Sequence, residues 1–126
     1  MVDKWFTLQA MAQRPDAVLV VTGLLDHPAF TPRNPNRVRA LLGAFALGNP
    51  TGFHERSGAG YALVADQVLA LDPRNPQVAA RLAQAFGRWR RYDPARQDHM
   101  RAQLERILAT PKLSRDLYEI ASKSLS

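Results

Sequence analysis

The stretch NPNRVRALLGAF, residues 34–45, carries the clearest structural signal in the chain. It opens with asparagine and proline, which suit a helix start. The asparagine side chain can accept from an exposed backbone N–H, and proline at the first helical position forfeits no hydrogen bond. Apolar residues then recur at i, i+3, i+4 and i+7, as Val38, Leu41, Leu42 and Phe45. This spacing places them on one face and predicts an amphipathic helix.

The same arrangement returns 41 residues later. Asn75-Pro76 precedes Phe86 at the spacing with which Asn34-Pro35 precedes Phe45. A period of about 40 residues with two helices per repeat is typical of HEAT and armadillo arrays. The sequence therefore predicts an all-α fold of stacked antiparallel helix pairs, a HEAT- or armadillo-like superhelix.

Proline- and glycine-containing breaks divide the chain into about seven predicted helices, and no alternating pattern indicates a strand. We expect Trp5, Leu8 and Ala12 to lie on one side of the first helix, and Ser114 to cap the last one. The segment 51–60 holds three glycines and is predicted to be a loop with at most one short turn. The predicted helices cover about residues 3–12, 17–25, 34–48, 61–71, 75–89, 93–109 and 114–125.

Composition excludes several classes of protein. The 126 residues include no cysteine, which rules out a disulfide scaffold and any cysteine-ligated metal. The longest apolar stretch, residues 17–25, is about half of the roughly 20 residues that a membrane-spanning helix needs. No signal peptide is recognisable at the N-terminus. We therefore expect no membrane partner and a cytoplasmic location.

The formal charge is +6, from 17 Lys+Arg against 11 Asp+Glu. A basic chain can bind nucleic acid or an acidic partner, so a free-standing basic HEAT-like module that binds nucleic acid or protein remains an alternative function. The cluster Arg88-Trp89-Arg90-Arg91-Tyr92 fits phosphate contact and base stacking. It equally fits the C-terminal end of a helix, where cations complement the dipole. The second interpretation is favoured, and we do not expect nucleic acid to be a partner.

No catalytic or metal-binding residue is predicted in this segment. The histidines His27, His54 and His99 lie far apart in the sequence. His54-Glu55 begins like the zinc-protease motif H-E-x-x-H, but Gly58 stands where the second histidine is needed. A nucleophile elbow and a phosphate-binding loop are also absent from the sequence. We expect no cofactor here.

Short sequence runs along nearly the whole chain match those of one known protein family, and they occur in the same order. They lie at residues 3–6, 34–45, 48–50, 53–54, 58–61, 74–79, 81–82, 91–93 and 113–119. They resemble the C-terminal helical domain of the M1 family of zinc aminopeptidases, of the bacterial aminopeptidase N type. The resemblance implies that residues 1–126 form a single α-helical segment, the C-terminal part of a larger helical domain.

Such enzymes remove N-terminal residues from peptides with a zinc-activated water. The resemblance implies that the zinc site lies in an earlier catalytic domain of the same polypeptide, which is then the partner of this segment. The segment would cover the active-site cavity and contact the peptide substrate, and it should be inactive alone. An isolated stack of this kind leaves one apolar end exposed, so the fragment can self-associate.

The resemblance also singles out three candidate substrate-binding residues. Gln77 and Arg81 are four residues apart, hence one above the other on a helix, and their spacing alone indicates an ordinary solvated face. By the matching runs, these two residues and Arg39 are implied to hold the distal part or the C-terminal carboxylate of a bound peptide. Guanidinium suits that role because it binds carboxylate with two parallel hydrogen bonds.

Overall fold

The structure, a computed structural model, describes residues 2–12, 16–28, 30, 34–54 and 57–125, and in these ranges helices are joined by turns and short irregular segments. No strand occurs in these ranges, and the predicted all-α fold is confirmed. The chain divides into two compact units, residues 1–55 and 56–126. The α-helices are α1 (Val2–Met11), α2 (Ala17–Leu24), α3 (Pro35–Val38), α4 (Ala44–Gly48), α5 (Pro50–Phe53), α6 (Ala59–Leu71), α7 (Pro76–Ala83), α8 (Pro94–Leu108) and α9 (Arg115–Leu125).

The two copies of the sequence pattern that repeats after 41 residues lie one in each unit. Asn34 precedes α3 in the first unit, and Asn75 precedes α7 in the second. Each asparagine side chain accepts a hydrogen bond from a backbone N–H of the helix that follows it. Phe45 and Phe86 occupy equivalent positions in the two copies, and both are fully buried. The repeated sequence therefore marks an equivalent helix start and an equivalent core residue in each unit.

The first unit buries a different face of α1 from the one that the apolar spacing indicates. Phe6 and Ala10 are fully buried, whereas Trp5 is 41% and Leu8 60% exposed. The side of the helix that carries Trp5 and Leu8 is thus not the buried one, and Ala12 is half-buried just after the end of α1. Apolar residues occur on both sides of this helix, and its buried side also carries polar contacts that a count of apolar residues does not detect.

The third predicted helix is one helical run with an irregular centre. Between α3 and α4, the residues Arg39–Gly43 form a π-helical turn. The predicted stripe of Val38, Leu41, Leu42 and Phe45 is buried, each residue being at most 1% exposed. The apolar pattern thus located the core face correctly, although it did not reveal the π turn.

Asn49 connects three parts of the first unit. It is fully buried and ends α4. Its Nδ2 donates to the carbonyl oxygens of Ala10, at 2.8 Å, and Ala12, at 3.1 Å. Its Oδ1 accepts from the Gly52 N–H at 3.0 Å, inside α5. The short α5 lies partly in the predicted 51–60 loop, where a turn of helix becomes stable because Asn49 satisfies one of its first N–H groups.

The second unit packs four helices around one core. Helix α7 contacts α6 and α9, and α8 contacts the same two helices. The fully buried side chains come from all four helices and from the turn after α7: Tyr61, Val64, Ala65, Val68, Ala79, Ala83, Phe86, Met100, Leu104, Ile107, Leu117 and Ala121.

Helix α7 is shorter than predicted. It ends at Ala83, and 3₁₀ turns follow at Gln84–Phe86 and Trp89–Arg91. Trp89 is nevertheless buried. Its Nε1 donates to the Ser124 carbonyl at 2.7 Å. The second of these turns thus contacts the end of α9, which lies far away in the sequence.

Asp72, at the end of α6, is a buried carboxylate with a defined partner. One of its oxygens accepts from the Ser114 N–H at 2.8 Å, and the other accepts from the Ser114 hydroxyl. The Ser114 Oγ in turn accepts from the Leu117 N–H at 3.2 Å. Ser114 therefore caps α9 as predicted, and Asp72 holds that cap against the end of α6.

The buried Tyr61 makes the stability of the second unit depend on pH in the alkaline range. Burial raises the pKa of Tyr61 to about 12, although Arg96 opposes the shift. The unfolded chain releases this proton near pH 10, and the folded chain keeps it up to about pH 12. Stability should therefore fall as the pH rises from 10 to 12, by about 2 kcal/mol at pH 12.

Urea unfolding of the parent and of Tyr61→Phe at several pH values tests this, because the stability difference between them should shift in favour of the variant above pH 10. A difference that does not change with pH would contradict it.

Candidate functional site

Gln77 and Arg81 lie on the exposed side of α7, as their spacing predicts. Asn75 and Pro76 begin the helix, and the Asn75 side chain accepts a hydrogen bond from the Val78 N–H in its first turn. The buried side of α7 includes Ala79 and Ala83 and faces the core of the second unit. The amphipathic pattern of α7 is therefore what directs the two polar side chains outward.

The two residues line the same groove, which has a volume of about 310 Å³. Its walls come from α7, the turn after it, and α9. The lining residues are Gln77, Ala80, Arg81, Gln84, Asp116, Glu119 and Ile120. The groove thus combines a small apolar area with amide, guanidinium and carboxylate groups.

The charges in the groove are mixed. Arg81 is the one cation among the lining residues, and Asp116 and Glu119 supply two carboxylates. Part of the Glu119 charge is offset by Arg115, whose Nε lies 3.5 Å from Oε1 of Glu119. Within the described ranges, no hydrogen bond or ion pair holds the side chain of Gln77 or Arg81. A ligand with an anionic group beside Arg81 would be attracted, while the carboxylates weaken the attraction for a purely anionic ligand.

Sequence reasoning did not identify Asp116 and Glu119 as members of this site. Both lie on α9, next to the buried stripe of Leu117 and Ala121. Their spacing of three residues puts them on one helix face, which is a signal that the sequence contains. It points to the groove only once the contact between α7 and α9 is known.

Arg39 lies in the first unit, and Gln77 and Arg81 lie in the second. Arg39 is exposed, and it is the first residue of the π-helical turn. Its Nη2 donates to the side-chain oxygen of Asn36. Arg37, two residues earlier, instead places its Nε 2.8 Å from Oδ1 of Asp3 on α1. Arg37 thus connects the helical run 35–48 to α1, whereas Arg39 is exposed to solvent.

The basic aromatic cluster after α7 has a structural role. Besides the Trp89 hydrogen bond to α9, the Arg90 Nη2 donates to the Leu125 carbonyl at 2.6 Å. The Arg90 guanidinium carbon also lies 4.6 Å from the centre of the Trp89 ring. Because the indole is buried and covered by Arg90, it is not available to stack on a base. The contacts favour a structural interpretation of this cluster, although it follows the end of α7 and binds the end of α9 instead of ending its own helix.

The described residues do not fit a zinc site. Within these ranges no three side chains of His, Cys, Asp or Glu are grouped so that they could hold a metal ion. The His54 ring packs on Phe53, at 4.8 Å between centres. Glu55, the second residue of the H-E-x-x-G run, lies outside the described residues. Among the described residues, every helix is too short or too polar to cross a bilayer.

Comparison with known protein families gives a match along the whole chain. The family described as "Domain of unknown function (DUF3458_C) ARM repeats" matches residues 1–126. ARM repeats are armadillo repeats, so the predicted armadillo-like stacking of helix pairs is confirmed.

Curated relatives extend the match to named proteins. Aminopeptidase N of Caulobacter vibrioides is 54% identical over 123 residues, and aminopeptidase N of Escherichia coli is 48% identical over 124 residues. Aminopeptidase N of Haemophilus influenzae is 44% identical over 123 residues. Each alignment covers 98% of this chain and 14% of the relative, in its C-terminal part. The resemblance to bacterial aminopeptidase N is confirmed, and the chain spans about one seventh of these relatives' length.

A solved structure agrees with these relatives. The crystal structure of Legionella pneumophila aminopeptidase A in complex with aspartic acid superposes with a TM-score of 0.93 at 44% sequence identity. The superposition covers 98% of this chain and 14% of that chain. The similarity therefore holds for the fold as well as for the sequence.

Proposed function

Since this chain belongs to the Domain of unknown function (DUF3458_C) ARM-repeat family, we propose that it is the C-terminal helical domain of a bacterial zinc aminopeptidase. The observation that carries the proposal is the 44–54% identity to aminopeptidase N from three bacteria over 98% of the chain. In this proposal the catalytic domain of the same polypeptide holds the zinc and activates the attacking water. No chemical step is assigned to the described residues of this chain, and a cytoplasmic location stays a prediction.

The role proposed for the chain is to cover the active-site cavity and to help hold the peptide substrate there. The groove with Gln77 and Arg81 supports this role, because it offers a guanidinium and an amide that no described residue engages. A peptide presents a carboxylate at its C-terminus and carbonyl oxygens along its backbone. Arg81 would bind the carboxylate, and Gln77 would bind a backbone carbonyl or N–H. Arg39 would make a second contact of the same kind.

The acidic lining makes the proposal more specific. Asp116 and Glu119 lie in the same groove as Arg81 and disfavour a ligand that brings only negative charge. A peptide end carries one carboxylate among neutral backbone groups, and it therefore fits the groove better than a polyanion does. This comparison supports a peptide rather than a nucleic acid as the ligand of this groove.

Arg81→Ala should raise the KM for a short peptide with a free C-terminal carboxylate, by about threefold to tenfold, while kcat stays nearly unchanged. This is the pattern expected when binding is lost equally from the ground state and the transition state. The test uses a chimera in which this chain replaces the matched region of Escherichia coli aminopeptidase N. Steady-state kinetics with a tripeptide and with its C-terminal amide distinguish the carboxylate from the rest of the ligand.

The matched control is Arg101→Ala, which removes the same charge from an exposed position on α8, outside the groove. It should leave both kinetic constants unchanged. The effect of Arg81→Ala should also largely disappear with the amide substrate, since that substrate has no terminal carboxylate. Equal KM values for Arg81→Ala and the parent chimera on the free tripeptide would refute the binding role.

A further inference from the structure

The helix that carries Arg39 departs from α-helical hydrogen bonding at a defined place. In a regular α-helix the Ala44 N–H donates to the carbonyl four residues earlier, which belongs to Ala40. Here that N–H donates to the Arg39 carbonyl, five residues earlier, and to the Leu41 carbonyl. Because of the π turn at Arg39–Gly43, the Ala40 carbonyl therefore loses its usual donor, the Ala44 N–H. Such π turns are rare and often occur at functional sites.

A side chain from another helix replaces that donor. The Thr7 hydroxyl on α1 donates to the Ala40 carbonyl at 3.1 Å in a partly buried position, 33 residues away in the sequence. A buried carbonyl without a partner would be unfavourable, so this hydroxyl removes the main penalty of the π turn. Asp3, four residues before Thr7 on α1, adds the ion pair to Arg37. The two contacted oxygen and nitrogen atoms of that ion pair are buried.

The π turn affects where Arg39 points. A π turn adds about one residue to a helical turn, and each helical residue rotates the chain by about 100°. Compared with an uninterrupted α-helix, the residues before the turn are therefore rotated about the helix axis with respect to α4. Asn36 is on the same side of the turn and accepts from the Arg39 guanidinium. The direction of the Arg39 side chain thus depends on the π turn and on Asn36.

We propose that Thr7 is a positioning residue for substrate binding. By satisfying the Ala40 carbonyl it stabilises the π turn, and the π turn directs Arg39. The inference rests on the proposed function, in which Arg39 contacts the peptide. Thr7 itself does not touch the substrate in this proposal.

The test uses Thr7→Val, which removes the hydroxyl and keeps the branched shape, and Thr7→Ser, which keeps the hydroxyl. Both are placed in the chimera, alone and together with Arg39→Ala. Thr7→Val should raise the KM for the free tripeptide about threefold, with kcat within about twofold of the parent. Thr7→Ser should behave like the parent. In the Arg39→Ala background, Thr7→Val should cause no further rise in KM, since both changes remove the same contact.

A second readout follows the backbone directly. Hydrogen exchange measured by mass spectrometry on the same chimera should be several-fold faster in the segment 39–48 for Thr7→Val, and unchanged for Thr7→Ser. If Arg39→Ala leaves KM unchanged, the role of Arg39 fails and the positioning role of Thr7 fails with it. If Arg39→Ala raises KM and Thr7→Val does not, only the positioning role fails. A fall in thermal stability or in kcat, with KM unchanged in Thr7→Val, would show that Thr7 is only a structural residue.

Discussion

Asn49→Ala should lower the free energy of unfolding by about 3–5 kcal/mol, a large part of the stability of a small domain. The change removes two donors and one acceptor from a fully buried position. It leaves the carbonyl oxygens of Ala10 and Ala12 and the Gly52 N–H without their partner. Each buried group that loses its hydrogen bond costs about 1–3 kcal/mol. Urea unfolding followed by circular dichroism measures the loss.

Two comparisons make this result specific. Gln9→Ala removes an amide from a partly exposed helix position in the same unit, and it should change stability by less than about 0.5 kcal/mol. Asn49→Asp keeps the oxygen that accepts from Gly52 but sets a carboxylate against two carbonyl oxygens, so it should destabilise about as strongly as alanine does. A loss below about 1 kcal/mol for Asn49→Ala would mean that the three hydrogen bonds do not hold the first unit together.

Gly58→Ala should destabilise the second unit by about 3 kcal/mol, for two separable reasons. Gly58 precedes α6 with a φ of +81°, in the left-handed region that disfavours a residue with a Cβ. A Cβ built there would also lie 2.7 Å from Nδ1 and 2.9 Å from the Cγ of His99. Because Cγ is bonded directly to the His99 Cβ, it can move away only if the side chain rotates. The ring would then leave its partly buried site.

A double-mutant cycle separates the backbone strain from the collision. In a His99→Ala background the ring is absent, and Gly58→Ala should then cost only about 1 kcal/mol, from the positive φ alone. The single variant His99→Ala provides the reference. If Gly58→Ala costs the same with and without the ring, the collision does not contribute and the left-handed backbone accounts for the whole effect.

The sequence predicted the helix starts well, because their cause is local. A side chain such as Asn75 or Ser114 caps the helix that follows it within a few residues, and proline can be placed only at the first turn. The apolar stripe of the third predicted helix was also correct, because Val38, Leu41 and Phe45 repeat on one face at helical spacing. In α1 both faces carry apolar residues, and the spacing indicated the wrong one.

The candidate site was predictable in part for the same reason. Four-residue spacing on a capped helix was enough to put Gln77 and Arg81 on one exposed face. The acidic side of the groove was not predicted, because Asp116 and Glu119 reach it from α9. The proposed function of the three residues came from the family resemblance rather than from spacing.

By itself the sequence determined that the chain is all-α, where most of its helices begin, and which apolar face of the third predicted helix is buried. These properties depend on neighbours within about one or two helical turns, which a linear pattern records. Only the tertiary structure decided which side of α1 is buried, that α7 gives way to 3₁₀ turns, and that a π turn precedes α4. Each of these regions takes part in a hydrogen bond between residues 33 or more positions apart, such as Thr7 with Ala40 or Trp89 with Ser124. Such contacts leave no periodic trace in the sequence, because the chain must first fold before the partners meet.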